Sequence, residues 1–131
     1  MNFYIVFTKS RKRFDKYVKV NKIKNKVIID IKSLLDEYDI NNYNDYRHYF
    51  NLIVYTKITH SLDKNKDVYY IPNLSNKKFD IEELYKIKDI LKNTKFNLLI
   101  FFDEFKDDSI INQSILENMD IFDASQILKS Y

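Results

Sequence analysis

The stretch Leu98-Leu99-Ile100-Phe101-Phe102-Asp103-Glu104 passes from five apolar residues to two acids. A buried strand ending on paired carboxylates delivers them to a ligand face, where they can hold a divalent cation and polarise water. Asp30 closes a second apolar run, Val27-Ile28-Ile29. With Asp103, Glu104 and Asp107 it could form a metal-binding carboxylate cluster, the equipment of a magnesium-dependent phosphotransferase or nuclease. The competing reading is that Asp30 points outward or caps the next turn.

Thr8-Lys9-Ser10-Arg11-Lys12-Arg13-Phe14 follows the first apolar run, where a phosphate loop would sit. Lysine and arginine there can attract phosphate as point charges, helped by a helix N-terminus. The chain contains no glycine. Glycine lets backbone N–H groups converge on phosphate at positive φ, so neither G-x-x-x-x-G-K-[ST] nor G-x-G-x-x-G occurs. There is no G-x-S-x-G elbow either. The absence of cysteine removes thiolate catalysis, thiolate–zinc sites and disulfides. The two histidines, His48 and His60, lie on one expected helix roughly 18 Å apart along its axis and cannot share a metal.

Charge is unevenly spread along the chain. Residues 1–26 hold nine cations against Asp15 alone, a local charge of +8. Residues 103–131 hold seven acids against Lys106 and Lys129, a local charge of −5. Such a dipole concerns partners and self-association, head-to-tail or within one chain, rather than fold. Lys9, Arg11, Lys12, Arg13 and Lys16 are therefore the expected partner contacts, and nucleic acid is a possible partner for the basic stretch 9–26. Tyrosine adds to this. Tyr43, Tyr46, Tyr49, Phe50 and Tyr55 crowd into thirteen residues. Tyr43 and Tyr55 fall off the apolar stripe and suit interface anchoring.

The elements that must position these groups alternate. Phe3–Phe7 predicts a central strand buried on both faces. Phe14, Tyr17 and Val18 have helical spacing within the basic segment. Val27–Ile31 predicts a second strand, and Asp67–Ile71 a third, ended by the single proline, Pro72. Between them, 44–62 carries the clearest helical stripe: Tyr46, Tyr49, Phe50, Ile53, Val54, Lys57, Ile58 and Leu62. Asp80 and Glu83 form a capping box for a helix bearing Ile81, Leu84, Ile87, Ile90 and Leu91. Residues 96–102 predict a fourth strand, and 109–131 a helical, acidic tail. This order predicts a single α/β domain over 1–131, with a three-layer, mostly parallel sheet of about four strands and helices on both faces. Ligands of such sheets bind outside the carboxyl ends of the strands, here 8–13, 30–33, 72–75 and 103–108.

The apolar opening is too short for a signal peptide, and no run approaches the roughly 20 residues of a membrane span. The expectation is a cytoplasmic protein with no membrane partner. Abundant Lys, Asn, Ile and Tyr, with Ala only at position 124, point to AT-rich codons of a virus, a phage or an AT-rich bacterium.

The element order, with Arg47 and Phe50 on the helix before Asp67-Val68-Tyr69-Tyr70-Ile71-Pro72, resembles small nucleotide or polynucleotide kinases of the P-loop class. That resemblance implies a strand delivering catalytic or magnesium-binding residues at its end. The phosphate loop expected over Thr8–Phe14 lacks its glycines, so no catalytic residue is carried over and no cofactor is expected. The opening Tyr4-Ile5-Val6-Phe7-Thr8-Lys9-Ser10-Arg11-Lys12, with the size and bias of the chain, is similar to small accessory proteins of T-even-type phages, among them their RNA-polymerase-binding protein. It implies a non-enzymatic protein that docks on a host or viral protein complex such as the transcription machinery, in the host cytoplasm.

Overall fold

The computed structural model describes residues 2–37, 53–73, 81–92, 94–104, 108–109, 111–112 and 118–125. Its elements are β1 (Asn2–Phe7), α1 (Arg11–Val20), β2 (Lys26–Asp30), α2 (Ile31–Glu37), α3 (Tyr55–Asp63), β3 (Asp67–Ile71), α4 (Ile81–Ile90), β4 (Lys95–Ile100) and β5 (Asp120–Asp123). The strands form one five-stranded sheet in the order β2-β3-β1-β4-β5, and every neighbouring pair is parallel.

The apolar run of β1 takes the central position. Phe3, Ile5 and Phe7 face one side, and Val6 faces the other; all are fully buried. The edge strands bury less. Only Ile29 is buried in β2, and no residue of β5 is. Chain direction sets the layers. The β1–β2 connection runs one way across the sheet, whereas β2–β3 and β3–β4 run the other way, so right-handed crossovers put their helices on opposite faces. Accordingly, Phe14 of α1 packs with Val6, Tyr69, Ile71, Leu99 and Phe101. On the far side, Val54, Ile58, Leu84 and Ile87 pack with Phe3, Ile5, Val68, Tyr70 and Leu98. The result is the expected three-layer α/β architecture, with one more strand.

That extra strand corrects the helical reading of 109–131 at 120–123. Asp120-Ile121-Phe122-Asp123 pairs with β4 through Leu98↔Ile121 and Leu99↔Phe122. Four residues are too few to display a period, so the free edge of β4 decides their conformation. Ile31 opens α2 rather than ending β2. The start of the long stripe, with Tyr46, Tyr49 and Phe50, lies outside the described residues, as do Arg47 and Asp80. In its described part a π turn at 53–54 precedes α3, and Val54, Ile58 and Leu62 face the core as the stripe predicts. Lys57, expected on the stripe, is exposed, while Ser61 is buried and its Oγ donates to the Lys57 carbonyl at 2.7 Å. Glu83 accepts a hydrogen bond from the hydroxyl of the buried Tyr70.

A chain without glycine must close its helices with other residues. After α1, Ile23 N–H donates to Val18 O at 3.1 Å and Lys22 N–H to Lys19 O at 3.2 Å. This is a Schellman closure with Lys22 in the left-handed region at φ 51°. After α3, Asn65 takes the same place at φ 53°, with Lys66 N–H donating to Ser61 O. Lysine carries a Cβ penalty there that asparagine partly escapes.

Candidate functional site

The basic segment folds into α1, which lies over the sheet with Phe14 as its buried anchor. Its start is organised by Thr8, whose hydroxyl accepts from Ser10 N–H at 3.1 Å and donates to Ser10 O at 3.0 Å. The hydroxyl at the position expected for a phosphate loop is thus used within the turn.

The cations of α1 separate by direction. At 3.6 residues per turn, Arg11 and Arg13 leave opposite flanks of the helix, about 160° apart. Arg11 reaches β2, where Nη1 donates to Asp30 at 2.7 Å while Nε donates to Asp15 at 2.9 Å. Arg13 reaches the turn after β4. Its Nη1 donates to Glu104 at 2.5 Å and its Nη2 to Asp103, with the guanidinium 4.9 Å from the centre of the Phe101 ring. The bond to Asp103 holds the Arg13 guanidinium above its ordinary value against desolvation, and Glu104 adds to it. Desolvation lowers Arg11, but its bonds to Asp15 and Asp30 outweigh it and raise the net value. The first turn of α1 is therefore braced to the carboxyl ends of two strands that flank β3 and β1.

Of the four acids expected to share a metal, Asp107 lies outside the described residues and the other three are divided between these arginines. Asp30 belongs to β2 and the Asp103–Glu104 pair follows β4, three strand spacings away, or roughly 14 Å. No group of three or more metal-ligating side chains occurs among the described residues. The acidic stretch after β4 neutralises part of the basic N-terminal segment within one chain, through Arg13 alone among the described residues.

The lysines behave otherwise. Lys12, Lys16 and Lys19 fall within about 60° of one another around α1, opposite Phe14. All three are exposed and, like Lys9 before them, make no ion pair among the described residues. The one acid of the helix, Asp15, is engaged by Arg11. Tyr17 is no part of the outer surface. It stacks on Phe14 at 6.4 Å and meets Phe101 edge-on at 6.0 Å.

Tyr55 is 51% exposed, as its place off the stripe implied, but it sits on α3, across the sheet from α1. Tyr43 lies outside the described residues. One flat partner surface cannot meet both α1 and Tyr55. His60 is exposed near the end of α3, and His48 lies outside the described residues.

Sequence reading missed an aromatic row on the α1 side of the sheet. Tyr4 stacks on Tyr69 at 4.7 Å and tilts against Phe122 at 6.4 Å, with Phe122 43% exposed. Burial pushes the Tyr69 hydroxyl far up, aided by Tyr4, Tyr17 and Asp67, and raises Tyr4 and Tyr17 as well. Asn97, in register with Tyr4, is buried with its Oδ1 unpartnered among the described residues. Only knowledge of strand order could have assembled this row, because its aromatic members come from β1, β3 and β5.

No protein-family model matches this chain, and comparison with curated proteins and with solved structures returns no match.

Proposed function

We propose that this protein acts by binding rather than by catalysis, as a phage- or virus-type accessory protein that docks on a larger complex through the lysine face of α1. The division of labour on that helix supports the reading. Both arginines of the helix are held in ion pairs, while Lys12, Lys16 and Lys19 form an outward stripe that makes no ion pair among the described residues. Exposed, unpaired like charges repel one another and favour an anionic partner. Of the expected contacts on this segment the reading keeps Lys9, Lys12 and Lys16, adds Lys19, and sets aside Arg11 and Arg13 because they are ion-paired. The phage resemblance of residues 4–12 points to transcription machinery as the complex.

The test is retention of the host complex from lysate by wild-type protein and by Lys12→Glu/Lys16→Glu/Lys19→Glu. Loss of retention at unchanged melting temperature is expected; equal retention would remove the stripe from function. The non-catalytic half is tested by calorimetry with ATP and magnesium. Micromolar binding, with turnover abolished by Asp103→Asn, would sink it.

A further inference from the structure

We infer that the surface met by the lysine stripe is the phosphate backbone of a nucleic-acid duplex, contacted without reading its sequence. The inference rests on the binding role of the stripe proposed above and names its partner. Lys12 to Lys19 span about 10.5 Å of helix axis. A duplex carries one negative charge per roughly 1.7 Å of axis with both strands counted, so about six phosphates lie along that length, about three on each strand. Few acidic protein surfaces offer such density.

The residue types point the same way. Protein–protein interfaces are depleted in lysine and enriched in arginine and aromatic residues. On α1 both arginines are engaged internally and Tyr17 is packed beneath the helix. What remains are compact point charges on flexible stems, suited to phosphate oxygens and indifferent to base identity. Single strands are bound by stacking bases on exposed aromatics as well as by charge, and the two aromatics of α1, Phe14 and Tyr17, pack on its inner side. A membrane surface would also need apolar residues to insert, yet Phe14 is buried and Val18 packs against the sheet-side core.

The experiment is fluorescence anisotropy of the full chain with a labelled duplex of about 20 base pairs and arbitrary sequence. Wild type should bind, with a slope of log affinity against log salt of about −2.7, or roughly a 40-fold loss between 50 and 200 mM salt. Lys12→Gln/Lys16→Gln/Lys19→Gln should weaken binding at least tenfold and flatten the slope. A second triple variant, Lys57→Gln/Lys64→Gln/Lys92→Gln, removes the same charge from exposed lysines elsewhere and should stay within about twofold of wild type. Equal losses in the two variants would mean that net charge alone binds, and would overturn the inference. So would tighter binding to a single strand, or polyglutamate competing as well as unlabelled duplex. If wild type shows no duplex binding at 50 mM salt but still retains its complex through the stripe, the duplex assignment falls and the docking role stands. If retention ignores the stripe, the docking role falls.

Discussion

Arg11 and Arg13 leave the flanks of α1 and end on carboxylates, whereas Lys12, Lys16 and Lys19 leave its outer surface and end in water. The two sets are interleaved within nine residues and share one formal charge. What separates them is direction around the helix and the shape of the charged group. A guanidinium is a planar fork that can bridge Asp103 and Glu104 while lying on the Phe101 ring. An ammonium is a hydrated point charge that loses less by staying free. A count of positive charge along the segment therefore overstates what a partner can reach.

The sharpest way to break the contrast is to remove what holds the helix to the sheet. Phe14→Ala deletes the buried anchor and is expected to cost about 3–5 kcal/mol by chemical denaturation. A loss below about 1 kcal/mol would mean that α1 is not fixed by its inner face. Arg13→Ala should cost about 1–2 kcal/mol, since it removes two charge-assisted bonds and a ring contact at a half-buried site. If it costs no more than a surface lysine, the brace has no mechanical role.

High pH probes the same inner face. Unfolded tyrosines ionise near pH 10. Burial holds Tyr69, and to a lesser degree Tyr4 and Tyr17, protonated above that value in the folded state. Between those limits the unfolded chain binds fewer protons, so stability must fall as pH rises. The contribution is whole below about pH 10 and is lost above it, at up to about 1.4 kcal/mol per pH unit for each proton. Denaturation curves at pH 9, 10 and 11 should show the decline, and Tyr69→Phe should lessen its slope.

Lys22→Gly is expected to stabilise the fold by about 0.5–1 kcal/mol, because glycine carries no Cβ penalty at φ 51°. No gain would mean that the closure of α1 is held by Ile23 and Val18 alone. The smallest effect belongs to the stripe. Lys12→Gln, Lys16→Gln and Lys19→Gln should each change stability by less than about 0.5 kcal/mol. A larger loss in thermal denaturation would return these lysines to the structural set.

Much of the fold was legible along the chain. Asp67–Ile71 was bounded correctly by its apolar run and Pro72, and β1 was recognisable as central because both of its faces are apolar. Tyr55 was exposed as its spacing required. β5 was not legible, because Asp120–Asp123 becomes a strand only when β4 offers it an edge. Nor was the burial of Ser61 beside an exposed Lys57 on α3, where the serine hydroxyl meets its hydrogen-bonding need on the Lys57 carbonyl within the helix. Of the proposed contacts, Lys9, Lys12 and Lys16 lie exposed as basic residues of this kind should, while Arg11 and Arg13 proved to have partners.

Local chemistry by itself determined that the chain alternates strands and helices, that no glycine phosphate loop exists, and that positive charge gathers before residue 27. Only the tertiary structure decided which of those charges are spent. Arg13 meets Asp103 and Glu104 across 90 and 91 residues of chain. That meeting depends on β4 lying beside β1 and on the crossover that lays α1 over both, and strand order is set by long-range burial, to which no local spacing is sensitive.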